Sequence, residues 1–442
     1  MTMRKRVNTE KVNSARGEAR REDGFTAEAK NGTKKRVKVQ ARPFTFIDLF
    51  AGCGGLSEGF YHQGFRALLH LEIDPTACET LKTRMRHYDY DDAEIINAVM
   101  CDDITRKGVV KEMDERIEEE VDVIIGGPPC QAFSSVGRAQ DPNSMDNDPR
   151  NYLFENYVTV LNHFRPKFFV FENVKGILTA HPKGVRVFPV IIDRMRQYYD
   201  VINDPKVILL NAVNYGVPQN RERVIIIGAR KDLGIDPNEV YKAIKKLGDF
   251  GGKKPFYTVR DAIADLPKIS QGEGAERIDN AQTKQNAYLS LINSSLKPYR
   301  LVLNHTARKH NTKDQERYRI LSSHEGWQLK ELQTVRPDLI HHDPKHFGNR
   351  YTVQSYDKPG TTVVAHLFKD GNLFIHPDPR QARTFTVREA ARIQSFPDDF
   401  FFEGSRTEQF RQVGNAVPPL FARAIASAIK TILAGTINGK KI

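Results

Sequence analysis

Residues 44–55 read FTFIDLFAGCGG, and this stretch decides the fold. Its first half, 44–49, is an apolar run without alternation, which is typical of a buried parallel strand. The run includes Asp48 and is followed by a glycine-rich turn. In an open α/β sheet, such a turn lies beyond the carboxyl end of the strand, where ligands bind. The stretch therefore predicts the first strand and the first ligand loop of a doubly wound sheet.

The same rhythm continues along the first half of the chain. Similar apolar runs, separated by segments of helical character, occur at 67–71, 121–125 and 168–171. Two further runs, 206–210 and 223–228, are joined by a turn-rich stretch and predict a hairpin at one sheet edge. We therefore predict an α/β fold, with a doubly wound, mostly parallel, Rossmann-like sheet over residues 43–230.

The charge of the chain is concentrated at its start. The 442 residues carry 67 Lys and Arg against 55 Asp and Glu, a net charge of +12. Residues 1–42 hold 13 of the bases and 5 of the acids, and they lack apolar periodicity. We predict a disordered arm there, which is either a solubilising leader or an electrostatic tether to a nucleic acid.

Several classes of protein are disfavoured. Only four cysteines occur, with no C-x-x-C spacing, so we expect neither a disulfide framework nor a cysteine zinc site. No apolar stretch approaches the roughly 20 residues that cross a bilayer, and no secretory signal is visible. These features predict a protein of a reducing compartment, without a membrane segment.

The second half of the chain is less regular. We predict a smaller, irregular domain with a hinge over 231–397, and a C-terminal segment, 398–442, that returns to the first domain. Thr386 and Glu389 have the spacing of a capping box. A final helix after Pro418–Pro419 has a single apolar stripe, formed by Phe421, Ile425, Ile429 and Leu433.

The carboxyl ends of the predicted strands carry acids, glycines and one cysteine. Glu72 follows Gly52 at the spacing of an acid that could hold a ribose, whereas Ser57 replaces the third glycine of a dinucleotide fingerprint. The turn thus favours an adenosine ligand without a pyrophosphate, although a structural tight turn is an equal alternative. Cys130 follows a strand and a Gly-Gly-Pro-Pro bend that would lift its thiol out of the sheet; an inert buried cysteine is the alternative.

Six motifs stand in a fixed order along the chain. They are 46–55 (FIDLFAGCGG), 127–134 (GPPCQAFS), 171–174 (FENV), 219–223 (QNRER), 388–392 (REAAR) and 414–419 (GNAVPP). Together they resemble the motif series of the cytosine-5 DNA methyltransferases of bacterial restriction-modification systems. The resemblance covers roughly 43–230 and 384–435, and it implies an enzyme, a DNA (cytosine-5-)-methyltransferase.

The resemblance also implies the catalytic residues. Cys130 would be the nucleophile that attacks carbon 6 of a flipped-out cytosine, with the 134–150 segment closing over the base. Glu172 would offset the charge at ring nitrogen 3, and Arg223 would hold the carbonyl oxygen. Arg221 and Gln219 would support the loop or a phosphate; alternation along this stretch places both on the side of Arg223, with Glu222 opposite.

The implied methyl donor is S-adenosyl-L-methionine, which leaves as S-adenosyl-L-homocysteine. Phe50 would stack near the adenine, Glu72 would bind the ribose, and Asp103 and Ile104 would bracket the adenine. The remaining cofactor residues are Gly52, Gly54, Gly55, Ile73, Pro129 and Asn415. We expect no metal, since His341, His342 and His346 have no partner cysteines.

The resemblance leaves two alternatives open: a tRNA-acting relative, which also has a Pro-Pro-Cys-Gln segment, and a catalytically silent DNA-binding regulator. The variable region 231–384 and the basic arm favour duplex DNA, and intact Cys130, Glu172 and Arg223 favour an enzyme. We expect a cytoplasmic, nucleoid-associated monomer, with any cognate restriction endonuclease acting separately. Base-reading residues are expected within 231–384, with Arg350 as a candidate.

Overall fold

An eight-stranded sheet organises the molecule. The computed structural model describes residues 42–129, 149–248, 256–279, 285–293, 301–340 and 350–437. The strands of the sheet are β1 Thr45–Leu49, β2 Arg66–Glu72, β3 Val99–Cys101, β4 Val123–Gly126, β5 Phe168–Val174, β6 Tyr199–Val201, β7 Leu209–Asn211 and β8 Glu222–Arg230. Their order is β3-β2-β1-β4-β5-β8-β6, and β7 also pairs with β8. Strands β1 to β5 are parallel, whereas β8 is antiparallel to β5, β6 and β7.

This arrangement confirms the predicted α/β class and the mostly parallel, doubly wound sheet. The apolar runs in the first part of the chain became strands because helices cover both faces of the sheet. Phe46 and Ile47 in β1 and Ile124 in β4 are fully buried, as their unalternated sequences predict.

The predicted hairpin at 206–228 is confirmed in its pairing but not in its first strand. Residues 205–208 form a helical turn, because Asp204 caps it and Pro205 occupies its first position. Strand β7 begins only at Leu209 and pairs with β8 up to Asn211 opposite Glu222. Strand β8 is not an edge, since β6 and β7 both flank its outer side.

Helices cover the sheet and continue to the end of the described chain. In the first half they are α1 Gly55–His62, α2 Pro75–His87, α3 Asp92–Ala98, α4 Val109–Arg116, α5 Leu153–Phe164, α6 Val187–Met195, α7 Pro205–Ile208 and α8 Pro237–Gly248. In the second half they are α9 Val259–Ile263, α10 Ala287–Ile292, α11 Thr312–Ser322, α12 Leu329–Val335, α13 Val387–Ile393, α14 Arg406–Asn415 and α15 Pro419–Ile437.

The final helix, α15, returns to the first helix, α1. Its predicted stripe of Phe421, Ile425, Ile429 and Leu433 is buried. The backbones touch at Gly59, where an added Cβ would lie 2.3 Å from the amide nitrogen of Arg423. The segment Arg406–Thr436 is long and apolar enough to cross a membrane, but 72% of its most apolar window is buried inside the protein. It is a core element of this fold.

Helix α13 connects several segments of the chain to this core through buried hydrogen bonds and ion pairs. Its predicted capping box is confirmed, since Thr386 and Glu389 cap each other's backbone amides. Its two arginines are fully buried. Arg388 donates to the carbonyls of Leu303, Pro397 and Phe400, and Arg392 pairs with Asp398 and Asp265. Buried guanidinium groups satisfied in this way hold several chain segments at once.

The region between β8 and α13 contains a two-stranded antiparallel sheet and a second apolar cluster. The strands are β9 Gly274–Ile278 and β10 Val302–Thr306. The cluster consists of Tyr318, Leu321, Leu329, Leu332, Leu339, Tyr351 and Ile375. Residues from Pro43 onward form one compact unit, and the boundaries at 230/231 and 397/398 stay predictions. The predicted arm at 1–42 lies, except for Arg42, outside the described residues.

Candidate active site

The carboxyl ends of the strands form one wall of a cavity of about 810 Å³. We call this the strand wall; its lining residues lie within 48–56, 71–77, 102–104, 127–129 and 172–174, with 221 and 223. The lining residues of the opposite side, which we call the C-terminal wall, lie within 364–368 and 411–417. Most of the predicted site residues lie on the strand wall, and Asn415 lies on the C-terminal wall.

Glu72 is held by the turn that follows β1. One carboxylate oxygen accepts a hydrogen bond from the Gly52 amide at 2.7 Å, and the other accepts from the amides of Ile73 and Asp74 at 2.9 Å. Burial raises the pKa of Glu72. Three backbone donors therefore fix the orientation of this carboxyl group at the cavity surface, where it can accept hydrogen bonds from a ligand.

The turn itself is tight, and its positions differ in role. Phe50 has a φ of +59°, a strained conformation for a residue with a side chain, and it lines the cavity. Gly54 has a φ of +88° and does not line the cavity; an added Cβ would lie 2.8 Å from Leu81. Gly55 does line it, and its Cβ would lie 2.4 Å from the Val417 carbonyl. Gly55 is thus a point where the two walls touch.

The third strand end contributes to the same region. Asp103 caps the turn after β3, because its carboxylate accepts from the Thr105 amide at 2.8 Å. Ile104 is buried, whereas Ile73 is 62% exposed. Asp103, Ile104 and Ile73 all line the cavity, as does Pro129 after β4.

Glu172 and Arg223 form an ion pair at another end of the strand wall. The Arg223 Nε lies 2.9 Å from a Glu172 carboxylate oxygen, and both side chains are largely buried. The antiparallel register of β5 and β8 brings them together, since Glu172 lies opposite Ile225 and Val174 opposite Arg223. Antiparallel neighbours on a shared ladder are fixed in position by the backbone hydrogen bonds between them.

The segment that leads to Cys130 lies directly against this pair. An added Cβ at Gly127 would be 2.8 Å from a Glu172 carboxylate oxygen, so a side chain there would force the carboxyl group to shift. Asn173 donates to the Pro128 carbonyl at 3.3 Å. Cys130 itself, together with most of the predicted 134–150 loop, lies outside the described residues.

Gln219 and Arg221 lie just before β8, and both bind protein groups. Arg221 donates to the carbonyls of Val363 at 2.7 Å and Ala416 at 2.9 Å. Gln219 accepts from the Val363 amide at 2.8 Å and donates to Gln394. Both are buried, and burial holds the pKa of Arg221 well below its ordinary value. These bonds support the C-terminal wall, and a role at a phosphate stays a prediction.

The C-terminal wall contains residues that the sequence analysis missed. A 3₁₀ turn, Ala365–Phe368, packs on α14 so closely that a Cβ at Gly414 would lie 2.3 Å from the Ala365 amide nitrogen. The Arg411 guanidinium lies 5.1 Å from the centre of the Phe368 ring. No periodicity marks residues 364–368, so the only sequence signal was the neighbouring Gly414–Asn415 motif.

A buried polar chain behind the strand wall was also missed. Asp48 accepts a short hydrogen bond from Ser57, which lies 3.3 Å from His70, and His70 contacts the Tyr61 hydroxyl at 2.7 Å. Burial raises the pKa of Asp48 to about 8 and lowers that of His70 to about 3. Asp48, which also lines the cavity, is therefore mostly protonated at neutral pH.

The described residues contain no group of three or more His, Cys, Asp or Glu side chains placed to hold a metal ion. His341, His342 and His346 lie outside them. Cys53, Cys78 and Cys101 are free thiols.

Comparisons with known proteins agree with this geometry. A family model described as C-5 cytosine-specific DNA methylase matches residues 44–431. The chain is 36% identical to the type II methyltransferase M.Bpa9945I of Bacillus paralicheniformis, over 88% of this chain and 99% of the relative. It is also 36% identical to M.DdeI of Desulfomicrobium norvegicum, over 87% of this chain and 88% of the relative.

Solved structures give the same fold. A DNA modification methyltransferase encoded within an E. coli prophage matches with a TM-score of 0.63 and 26% identity, over 88% of this chain and 99% of that chain. The Dnmt2 methyltransferase of S. pombe, at 14% identity and a TM-score of 0.50, shares the fold alone over 89% of this chain and 99% of that chain.

The doubly wound sheet and these matches together identify a class of group-transfer enzyme, the methyltransferases. Within that class, the chain belongs to the C-5 cytosine-specific DNA methylase family, so it is a DNA methyltransferase.

Proposed function

We propose that the protein transfers a methyl group from S-adenosyl-L-methionine to carbon 5 of a flipped-out cytosine in a specific duplex DNA sequence. One observation carries the proposal: a single cavity joins the Glu72 carboxyl cradle to the Glu172–Arg223 pair. A nucleoside-bearing donor and a target base could thus share one cavity, which brings the reacting groups together.

The residues of the strand wall fit the cofactor. Glu72 has a carboxyl group fixed by three amides and suited to ribose hydroxyls, and Ile73, Asp103 and Ile104 supply an apolar slot with a polar edge. Phe50, Gly52, Gly55, Pro129 and Asn415 complete the lining. When bound, the cofactor supplies an electrophilic methyl group, and S-adenosyl-L-homocysteine is the product.

Cys130, Glu172 and Arg223 divide the chemistry on the base. The Cys130 thiolate adds to carbon 6, which makes carbon 5 a nucleophile; after methylation the carbon 5 proton leaves and the thiolate is eliminated. Glu172 bonds ring nitrogen 3 and Arg223 bonds the carbonyl oxygen, so that charge on the ring is offset as the thiolate adds. Gly127 and Asn173 support this assignment, because they position the Cys130 segment against Glu172.

The remaining parts of the chain are assigned to DNA. We propose that 231–397 is the target-recognition domain with its hinge, that 134–150 closes over the base, and that the arm tracks phosphates. The enzyme would act as a cytoplasmic monomer, separately from any cognate endonuclease. The intact acid–arginine pair disfavours a silent regulator. The variable region 231–384 and the basic arm favour duplex DNA over tRNA.

The test is methyl transfer by the purified protein and a Cys130→Ser variant. The parent should transfer tritium from labelled S-adenosylmethionine to plasmid DNA, and mapping of 5-methylcytosine should show one sequence context. Cys130→Ser should lose transfer by several orders of magnitude, because a hydroxyl is a far weaker nucleophile than a thiolate, while cofactor affinity stays nearly constant. Substantial residual transfer would remove Cys130 from the mechanism, and transfer to tRNA alone would overturn the substrate.

A further inference from the structure

The cavity lining has one cation that the proposed mechanism does not use. Its basic residues are Arg221, Arg223, His366 and Arg411. Arg221 is bonded to backbone carbonyls and Arg223 to Glu172. Burial lowers the pKa of His366, which keeps it neutral. Arg411 is exposed, and within the described part of the chain it forms no ion pair.

The surroundings of Arg411 leave its hydrogen-bond donors available. Its guanidinium lies over the Phe368 ring at 5.1 Å, an arrangement that covers one face of the group. The N–H donors of a guanidinium lie in its plane, so they remain free to bind a planar anion. Its neighbour Glu408, one turn earlier, is already engaged by Ser405 and Thr76.

The position of Arg411 relates it to the cofactor. Arg411 and Asn415 are four residues apart in α14, and so they share one face of that helix. Both line the same cavity as Glu72. If Glu72 binds the ribose, the methionyl end of the cofactor extends away from the adenosine slot, and that end carries a carboxylate.

We propose that Arg411, supported by Phe368, is the carboxylate-binding residue for the methionyl end of the cofactor. This inference rests on the proposed function. Guanidinium and carboxylate groups match in geometry and form paired, charge-assisted hydrogen bonds. Arg411 thus selects for a cofactor with an intact amino-acid terminus.

The experiment measures dissociation constants of the full chain for S-adenosylmethionine and for its decarboxylated analogue, by calorimetry. Arg411→Gln should raise the dissociation constant for S-adenosylmethionine roughly 10- to 100-fold and change that for the analogue by less than about twofold. Phe368→Leu should weaken S-adenosylmethionine by about 3-fold. Arg406→Gln, which removes an exposed arginine from the same helix outside the cavity, is the matched control and should change neither constant.

The outcomes separate the two proposals. A parent protein that binds neither compound would overturn the proposed function and this inference with it. A parent that binds S-adenosylmethionine while Arg411→Gln binds it equally well would overturn the inference alone. Equal weakening of both compounds would make Arg411 a structural residue. Loss of affinity for cofactor-free duplex DNA, with cofactor affinity unchanged, would instead assign Arg411 to a phosphate.

Discussion

The strand wall and the C-terminal wall enclose one cavity, but they are built in different ways. The strand wall is local, since Glu72 ends β2, Asp103 follows β3 and Glu172 lies near the end of β5. The C-terminal wall depends on distant contacts. Val363 and Ala416 are fixed by Arg221, which lies 142 and 195 residues earlier in the chain. The strand wall is therefore specified by residues at strand ends, whereas the C-terminal wall is specified by tertiary packing.

Removal of the C-terminal wall should have the largest effect. We expect a chain that ends at Glu403 to lose cofactor binding entirely, because α14 and α15 supply Asn415 and cover α1. Cofactor titration and circular dichroism of the truncated chain measure this. A soluble, folded product with normal affinity would show that the strand wall is sufficient by itself.

A single methyl group should break the C-terminal wall locally. In Gly414→Ala, the new Cβ meets the Ala365 amide nitrogen at 2.3 Å, so the 365–368 turn must move away from α14. We expect cofactor affinity to fall at least tenfold. The matched control is Gly360→Ala, whose Cβ finds ordinary contacts of 3.4 Å or more. Similar losses in both variants would contradict the localised role of Gly414.

The pH dependence of stability should test whether Asp48, a residue of the strand wall, keeps its proton in the folded protein. Folding raises the pKa of Asp48 from 3.8 to about 8 through burial, so the folded chain keeps a proton that the unfolded chain releases. This contribution to stability is present at low pH and is lost as the pH rises towards 8. Between pH 5 and 8, the free energy of unfolding of the parent should fall by about 1 kcal/mol per pH unit more than that of Asp48→Asn. Denaturant titrations across this range decide it; parallel curves would place no proton on Asp48.

The smallest expected effect concerns the region outside both walls. Arg350 pairs with Asp370 at 3.1 Å, and its Nε is buried without a partner in the described chain. We expect Arg350→Ala to relax the choice of methylation sites, while turnover on the best site stays within an order of magnitude. Bisulfite profiling on one plasmid measures this, with Arg336→Ala, an ion-paired arginine of the same region, as the control. An unchanged site list with lower yield would place Arg350 in a structural role.

The comparison also explains what the sequence could predict. Parallel strands bring their carboxyl ends to one edge, so Phe50, Glu72, Asp103 and Glu172 could be grouped from apolar runs and the residues after them. The choice of Gln219 and Arg221 as site residues followed from the motif that leads into β8. Their partners did not, because no local pattern records a bond to a carbonyl in a distant part of the chain.

Other features were outside the reach of sequence patterns for physical reasons. Residues 364–368 follow no strand, and contacts with distant residues such as Gly414 and Arg221 hold this segment at the cavity. The helical turn at 205–208 replaced a predicted strand because a capping aspartate and a proline outweighed a short apolar run. The protonation of Asp48 depends on burial from every side, which a sequence does not display.

The contact between Gly59 and α15 has a consequence for biosynthesis. Gly59 leaves the ribosome 360 residues before Pro419, and at about 5–20 residues per second that interval is roughly 20–70 s. During this interval α15 has not yet been made, so the face of α1 that it covers is exposed. For most of the interval the C-terminal wall of the cavity is also missing. The cavity is therefore incomplete until α14 has been made, and the covered face of α1 is exposed until α15 has been made.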